Sequence, residues 1–203
     1  MVECLHAPHH HFMPLRSMNE DDVDSSDDRE LHEALIASAT LFAKIENQRA
    51  EAQKRLMQVV ALYRAHVHPV QADGNCQFRA ISFALYGNEE HHADLRRQVV
   101  DQMRKMPKDY AQFVYEPYHD YVARMARDGE WGDNVTLQAA SDVLDCRMQV
   151  LTDVPGSESV MVYPKNLRST EGLVQQPLRY LRESICLTFL TEHHYDAAII
   201  ERC

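Results

Sequence analysis

Apolar residues recur at intervals of three and four between Arg29 and Arg64: Leu31, Leu35, Phe42, Ile45, Leu56, Val59, Val60 and Tyr63, set among Ala, Glu, Gln, Lys and Arg. That spacing lines them along a helix face. With no Gly or Pro between them, it predicts one long helix or two nearly continuous ones, with Asp27 or Asp28 as N-cap. Two readings stand side by side: a helix that recognises a partner, and an arm packed on the rest of the chain. Beyond it the pattern shortens. Val67 to Ala72 reads as a short strand, with Pro69 tolerated at an edge. Asp73-Gly74-Asn75 is a tight turn, after which Phe78, Ile81 and Leu85 follow at helical spacing up to a Gly87-Asn88 stop. A second amphipathic helix covers Leu95 to Met103 and halts before Pro107. Tyr110 to Ala126 predicts two short helices interrupted at Pro117, and Val135 to Leu144 a further helix capped by Asp133 or Asn134.

The C-terminal third changes period. Arg147 to Thr152, Val160 to Tyr163, Ile185 to Leu190 and Tyr195 to Ile200 read as strands, with a turn-rich connection from Pro164 to about Glu183. Consecutive strands joined by turns, following a run of helices, predict an α+β domain: a small, mostly antiparallel sheet flanked by helices.

Composition narrows the picture. The 203 residues are 45% hydrophobic and 26% charged, the balance of a soluble globular protein with room for one domain and an extension. Residues 1 to 28 combine a histidine patch (His6, His9, His10, His11) with an acidic run from Glu20 to Asp28. Such a segment repels itself and buries little, so a disordered tail is expected. The implied organisation is a tail over 1–28, a helical arm over 29–64 and a globular domain over 65–203. A formal net charge of −10 disfavours nucleic acid and anionic membranes as partners. The five cysteines, Cys4, Cys76, Cys146, Cys186 and Cys203, form no CxxC pair, which argues against a disulfide framework or zinc finger. No apolar run reaches membrane-spanning length and no signal-peptide core is visible, so a cytosolic or nuclear setting and a monomer are expected.

Two places carry chemistry. Cys76 opens a helix, where unpaired backbone N–H groups and the positive end of the helix dipole favour thiolate over thiol. The alternative is a buried structural cysteine. A thiol nucleophile needs a base, held in one tautomer by a carboxylate or amide. His193-His194-Tyr195-Asp196 offers both: on a strand starting near His194, alternation puts His194 and Asp196 on one face. His193 then points away. Trp131 bounds a groove or anchors its loop, and the adjacent pair His91-His92 cannot readily share one metal. No ligand cluster is evident, and thiol chemistry requires no metal or organic cofactor.

Taken together, Asp73-Gly74-Asn75-Cys76 with Phe78-Arg79-Ala80, Gly129-Glu130-Trp131-Gly132 leading into Thr136-Leu137-Gln138-Ala139-Ala140, and His194-Tyr195-Asp196 resemble the ovarian-tumour (OTU) family of cysteine deubiquitinases. The three blocks span roughly Val67 to Ile200 in the family's order. The resemblance implies a papain-like fold and a thiol peptidase acting after the C-terminal Gly of ubiquitin. In that reading Cys76 is the nucleophile, His194 the general base and acid, and Asp196 the residue orienting His194. Asp73 is counted with them; its carboxylate is suited to capping the N–H of Asn75 or Cys76. Backbone N–H groups at Gly74, Asn75 and Cys76 are the candidate oxyanion hole. His193 stands where the family commonly has an apolar residue, and with Trp131 it is a candidate contact for substrate. The alternatives are an OTU-like module that binds ubiquitin without cutting it, and a peptidase for another ubiquitin-like modifier.

Overall fold

A computed structural model describes residues 25–165, 184–191 and 194–201. Most of the acidic tail, most of the connection from Pro164 to Glu183, and His193 lie outside these residues. The chain divides into two compact units, Met1–Ile45 and Glu46–Cys203.

One helix, α1 (Ser25–Leu62), spans the boundary. It starts ahead of Asp27 and Asp28, which therefore lie in its first turn instead of capping it. In the first unit Leu31, Leu35, Phe42 and Ile45 are exposed to solvent. In the second unit the same apolar stripe continues into a different environment: Leu56, Val59 and Val60 are buried against Ala65, Leu151, Cys186, Leu190 and Ala198. The end of the helix is thus part of a core, as the packed-arm reading requires.

The second unit is built on a five-stranded sheet of order β1-β5-β4-β2-β3, with β1 (Ala65–His68), β2 (Met148–Thr152), β3 (Ser159–Val162), β4 (Ile185–Leu190) and β5 (His194–Ile200). Strand β1 is earlier and shorter than the pattern predicts, ending before Pro69, which has no N–H to offer β5. Three of the four pairings are antiparallel; β2 and β4 run parallel, Thr152 opposite Phe189. The sheet is thus mostly antiparallel, as the strand signals predict, with one parallel pair. The parallel pair arises because β3 folds back along the outer edge of β2, and β4 joins β2 on its other side.

Helices α2 (Cys76–Tyr86), α3 (His92–Lys105), α4 (Pro107–Tyr110), α5 (Tyr118–Met125) and α6 (Asn134–Leu144), with a 3₁₀ turn at Ala111–Phe113, complete the unit. Alternation along β4 divides the interior. Cys186 and Leu190 join the α1 side, while Ile185 and Leu187 join a larger core with Phe78, Ile81, Leu95, Val99, Met103, Leu137 and Tyr195. Helix α2 is the central element of that larger core: Phe78, Ala80 and Ile81 are fully buried, and Gly87, at φ +74°, closes the helix by donating its N–H to the Phe83 carbonyl.

Candidate active site

Cys76 occupies the first position of α2, and its sulfur is buried against the start of β5. The backbone amides of Tyr195 and Gln77 act on it, as does the charge of Asp196. On β5, His194 Nε2 lies 3.0 Å from Asp196 Oδ1, the same-face geometry that alternation predicts, while Tyr195 points into the core. Asp196 Oδ1 also accepts the Val70 N–H at 2.9 Å. That N–H is free because Pro69 has ended β1, so the irregular residues after the strand serve to hold the carboxylate.

The hydrogen bond to Asp196 decides the tautomer. A carboxylate only accepts, so Nε2 carries the proton and Nδ1 keeps a lone pair.

The thiol itself departs from expectation. A helix N-terminus favours thiolate, yet burial pushes the Cys76 thiol up, and the nearby charges of Asp196 and Asp73 push the same way. The Tyr195 and Gln77 amides oppose this without reversing it. Desolvation outweighs the two amides because the sulfur is covered on folding. The Cys76 thiol is thus harder to ionise than a free one, and it lies against the strand that carries His194 and Asp196.

Asp73 behaves as a turn-former. Its Oδ1 accepts the Asn75 N–H at 3.0 Å, and Arg79 grips both oxygens, with Nη2 2.6 Å from Oδ2. The Arg79 hydrogen bonds, with help from Asn75 and against the effect of burial, hold the carboxyl well below the usual carboxylate range. One consequence corrects the expected oxyanion hole: the Asn75 N–H is already committed to Asp73. The Cys76 N–H, at the first helical position, has no intrahelical carbonyl to bond to.

A second tie was absent from the sequence reading. Arg96 of α3, only 4% exposed, donates to the carbonyls of Met125 (3.0 Å), Gly74 (3.2 Å) and Glu130 (2.6 Å) and to Asn75 Oδ1 (2.7 Å). Its guanidinium rests 4.3 Å from the centre of the Phe78 ring. Asn75 Oδ1 also accepts the Gly129 N–H at 3.2 Å. One buried cation thereby fastens the turn before Cys76 to the Gly129–Trp131 loop. The clue lay in its phase: Arg96 stands on the face of Val99, Val100 and Met103, where an apolar residue belongs. The two segments meet so closely that a Cβ on Gly74, at φ +80°, would lie 1.8 Å from the Gly129 carbonyl oxygen.

Around the corner, buried Gln77 donates to the Asp133 carbonyl (3.0 Å) and accepts from Thr136 Oγ1 (2.8 Å). Asp133 in turn caps α6 through the N–H groups of Val135 and Thr136 and accepts from Tyr121. Gly132 leaves the space Gln77 fills: a Cβ there would lie 2.3 Å from Gln77 Oε1. Trp131, by contrast, is 57% exposed, so Arg96 and Asn75 anchor this loop and the tryptophan does not. His193 lies outside the described residues. Among the described residues no group of His, Cys, Asp and Glu is arranged to hold a metal ion.

With this geometry in place, comparison with known proteins gives a consistent result. The family model for OTU-like cysteine proteases matches residues 71–195, and the chain belongs to that family. It is 37% identical over 152 residues to the Arabidopsis thaliana OVARIAN TUMOR DOMAIN-containing deubiquitinating enzyme 9, covering 75% of this chain and 41% of that relative. The chain thus spans less than half the length of that relative. Among solved structures, the OTU domain of OTUD1 superposes with a TM-score of 0.54 at 23% identity, over 80% of this chain and 99% of that one. An OTU domain solved in complex with ubiquitin superposes with a TM-score of 0.52 at 22% identity, over 68% and 70% of the two chains. These likenesses establish the α+β OTU fold.

Proposed function

We propose that this chain is a deubiquitinase that hydrolyses isopeptide or peptide bonds at the C-terminal Gly of ubiquitin. The observation that carries the reading is the meeting of Cys76 with the His194–Asp196 strand, in a family whose matching relatives include proteins named as deubiquitinating enzymes. The solved complex of an OTU domain with ubiquitin supports the same choice of partner.

In this mechanism Cys76 Sγ attacks the carbonyl carbon of the terminal Gly while its proton passes to His194 Nδ1. Since burial makes the thiol hard to ionise, attack and proton transfer are linked. Asp196 stabilises the imidazolium through the Nε2–H bond. The developing oxyanion takes the Cys76 N–H and neighbouring donors of the turn that Asp73, Arg79 and Arg96 hold rigid. Collapse expels the lysine amine, which takes the proton from His194, and leaves a thioester on Cys76. Water, deprotonated by His194, then attacks the thioester carbonyl; the carboxylate leaves and the thiol regains its proton. Trp131, exposed beside the turn, is suited to cover the extended Gly-Gly tail. The test is cleavage of a panel of all di-ubiquitin linkages by wild type and Cys76→Ala. Cleavage by wild type alone is expected; a wild type inert on every linkage overturns the reading.

A further inference from the structure

Asp153 lies just past the end of β2, 6% exposed, and takes no part in the site described so far. Its Oδ1 accepts both the N–H and the Oγ1–H of Thr191, each at 2.8 Å. Its Oδ2 lies 3.4 Å from Nη2 of Arg55 on α1, and Arg55 Nε donates to the Asp153 carbonyl oxygen at 3.1 Å. Burial alone would raise this carboxyl, but the Thr191 and Arg55 hydrogen bonds outweigh it and leave the group below its ordinary value. It is therefore an anion at neutral pH. A buried anion with this set of donors fixes whatever supplies them, since any displacement leaves the charge unpaired.

Thr191 directly follows Leu190, the last residue of β4, which pairs opposite His194, the first residue of β5. Whatever fixes Thr191 therefore fixes the end of β4 and, through that cross-strand pair, the first residue of β5. The parallel β2–β4 pairing explains why the two ends meet. With Thr152 beside Phe189, the residues that follow each strand emerge side by side at the same end of the sheet.

We propose that Asp153 is a positioning residue for His194: its buried carboxylate grips Thr191, next to the Leu190–His194 pair at which β5 begins, and, through Arg55, ties that end of β4 to the end of α1. This rests on the reading of His194 as the base for Cys76. In that reading Asp196 sets the ring's tautomer from β5 itself, whereas Asp153 sets the place of the strand's first residue from outside it. The carboxylate touches neither thiol nor substrate, so its effect is expected on the chemical step and not on ubiquitin affinity.

The test measures ubiquitin hydrolysis and, separately, the ring NMR signals of His194, in full-length wild type, Asp153→Ala, Asp153→Asn and Thr191→Val. Displacing the imidazole by a fraction of its contact distance is expected to lower kcat about 10-fold in Asp153→Ala and about 3-fold in Thr191→Val, which loses the Oγ1–H bond and keeps the N–H bond to Asp153, with KM within about twofold of wild type in both. The His194 ring proton bonded to Asp196 should exchange faster with water in both. Asp153→Asn, which still accepts from Thr191, should recover most of kcat. Should Asp153→Ala fail to fold, Thr191→Val, a near-isosteric change at a half-exposed turn, decides. Wild-type ring signals or an unchanged kcat in Thr191→Val overturn the proposal, as does a loss seen in KM alone. If wild type cleaves no ubiquitin substrate, the proposed function fails instead, and the ring signals alone then decide whether Asp153 holds His194.

Discussion

Asp73, Cys76 and His194 show how the setting of each side chain governs what its chemistry can do. A carboxylate near a nucleophilic thiol would suppress its ionisation if left bare. Here Arg79 pairs with Asp73 and the carboxylate is turned toward the Asn75 N–H, so its charge is the smallest of the named influences that push the Cys76 thiol up. Its folded pKa lies below the unfolded value, so the stability it contributes is present above that value and is lost as pH falls through the folded one. The stability difference between wild type and Asp73→Asn should therefore stay constant from neutral pH down to about 5 and shrink only below about pH 4, where the unfolded carboxyl begins to protonate. Chemical unfolding at a series of pH values reads this directly. For Cys76 the direction is opposite. The covered thiol should react with iodoacetamide no faster than a free thiol at neutral pH, with its rate rising above the ordinary thiol range of about 8.5. A plateau below pH 7 would mean that the resting site already holds a thiolate. His194→Ala should lower kcat by roughly 10²–10⁴ through loss of acid–base assistance. Asp196→Ala should be milder, since water can partly replace an orienting group.

At the scale of elements, the site depends on two loops pressed together. The Asp73–Cys76 turn and the Gly129–Trp131 loop meet at Gly74 and Gly129 and are bound by Arg96. A Gly74→Ala change would force a side chain into a left-handed backbone conformation and against a carbonyl. The conformation alone should cost about 1–3 kcal/mol in denaturant unfolding, and activity should fall with it. These ties also mark where reading from sequence stops. The Cys76 helix, its Gly87 stop, the Asp133 cap of α6 and the same-face placing of His194 and Asp196 follow from local chemistry and periodicity, and were legible. The phase of Arg96 signals only that it is buried; its partners, like those of Asp153, are carbonyls and turn residues far along the chain, which no local spacing encodes. The parallel β2–β4 pair was missed for a related reason: strand signals give strands, while the order in which they join a sheet is decided by non-local packing. The burial of Cys76 belongs here too, since the helix terminus is visible in sequence and the depth of its cover is not.

For the molecule as a whole, α1 changes character along its length. Up to Ile45 its apolar residues face solvent, whereas Leu56, Val59 and Val60 complete the core behind the sheet. Each of those three side chains is worth about 1.5–3 kcal/mol of burial. Removing residues 1–45 should therefore leave the thermal stability of the second unit within a few degrees of wild type, while removing 1–60 should lower it sharply and take activity with it. Equal melting temperatures for the two truncations would show that the helix end adds nothing to the core. The central claim is that one sulfur, buried at the head of α2, works with an imidazole on β5 to cut ubiquitin. The most direct measurement is reaction of the chain with ubiquitin bearing a C-terminal electrophile, followed by intact-mass analysis and peptide mapping. A single covalent adduct at Cys76, abolished in Cys76→Ala and strongly slowed in His194→Ala, is the predicted result. An adduct at Cys146 or Cys186, or one formed at an undiminished rate without His194, would contradict it.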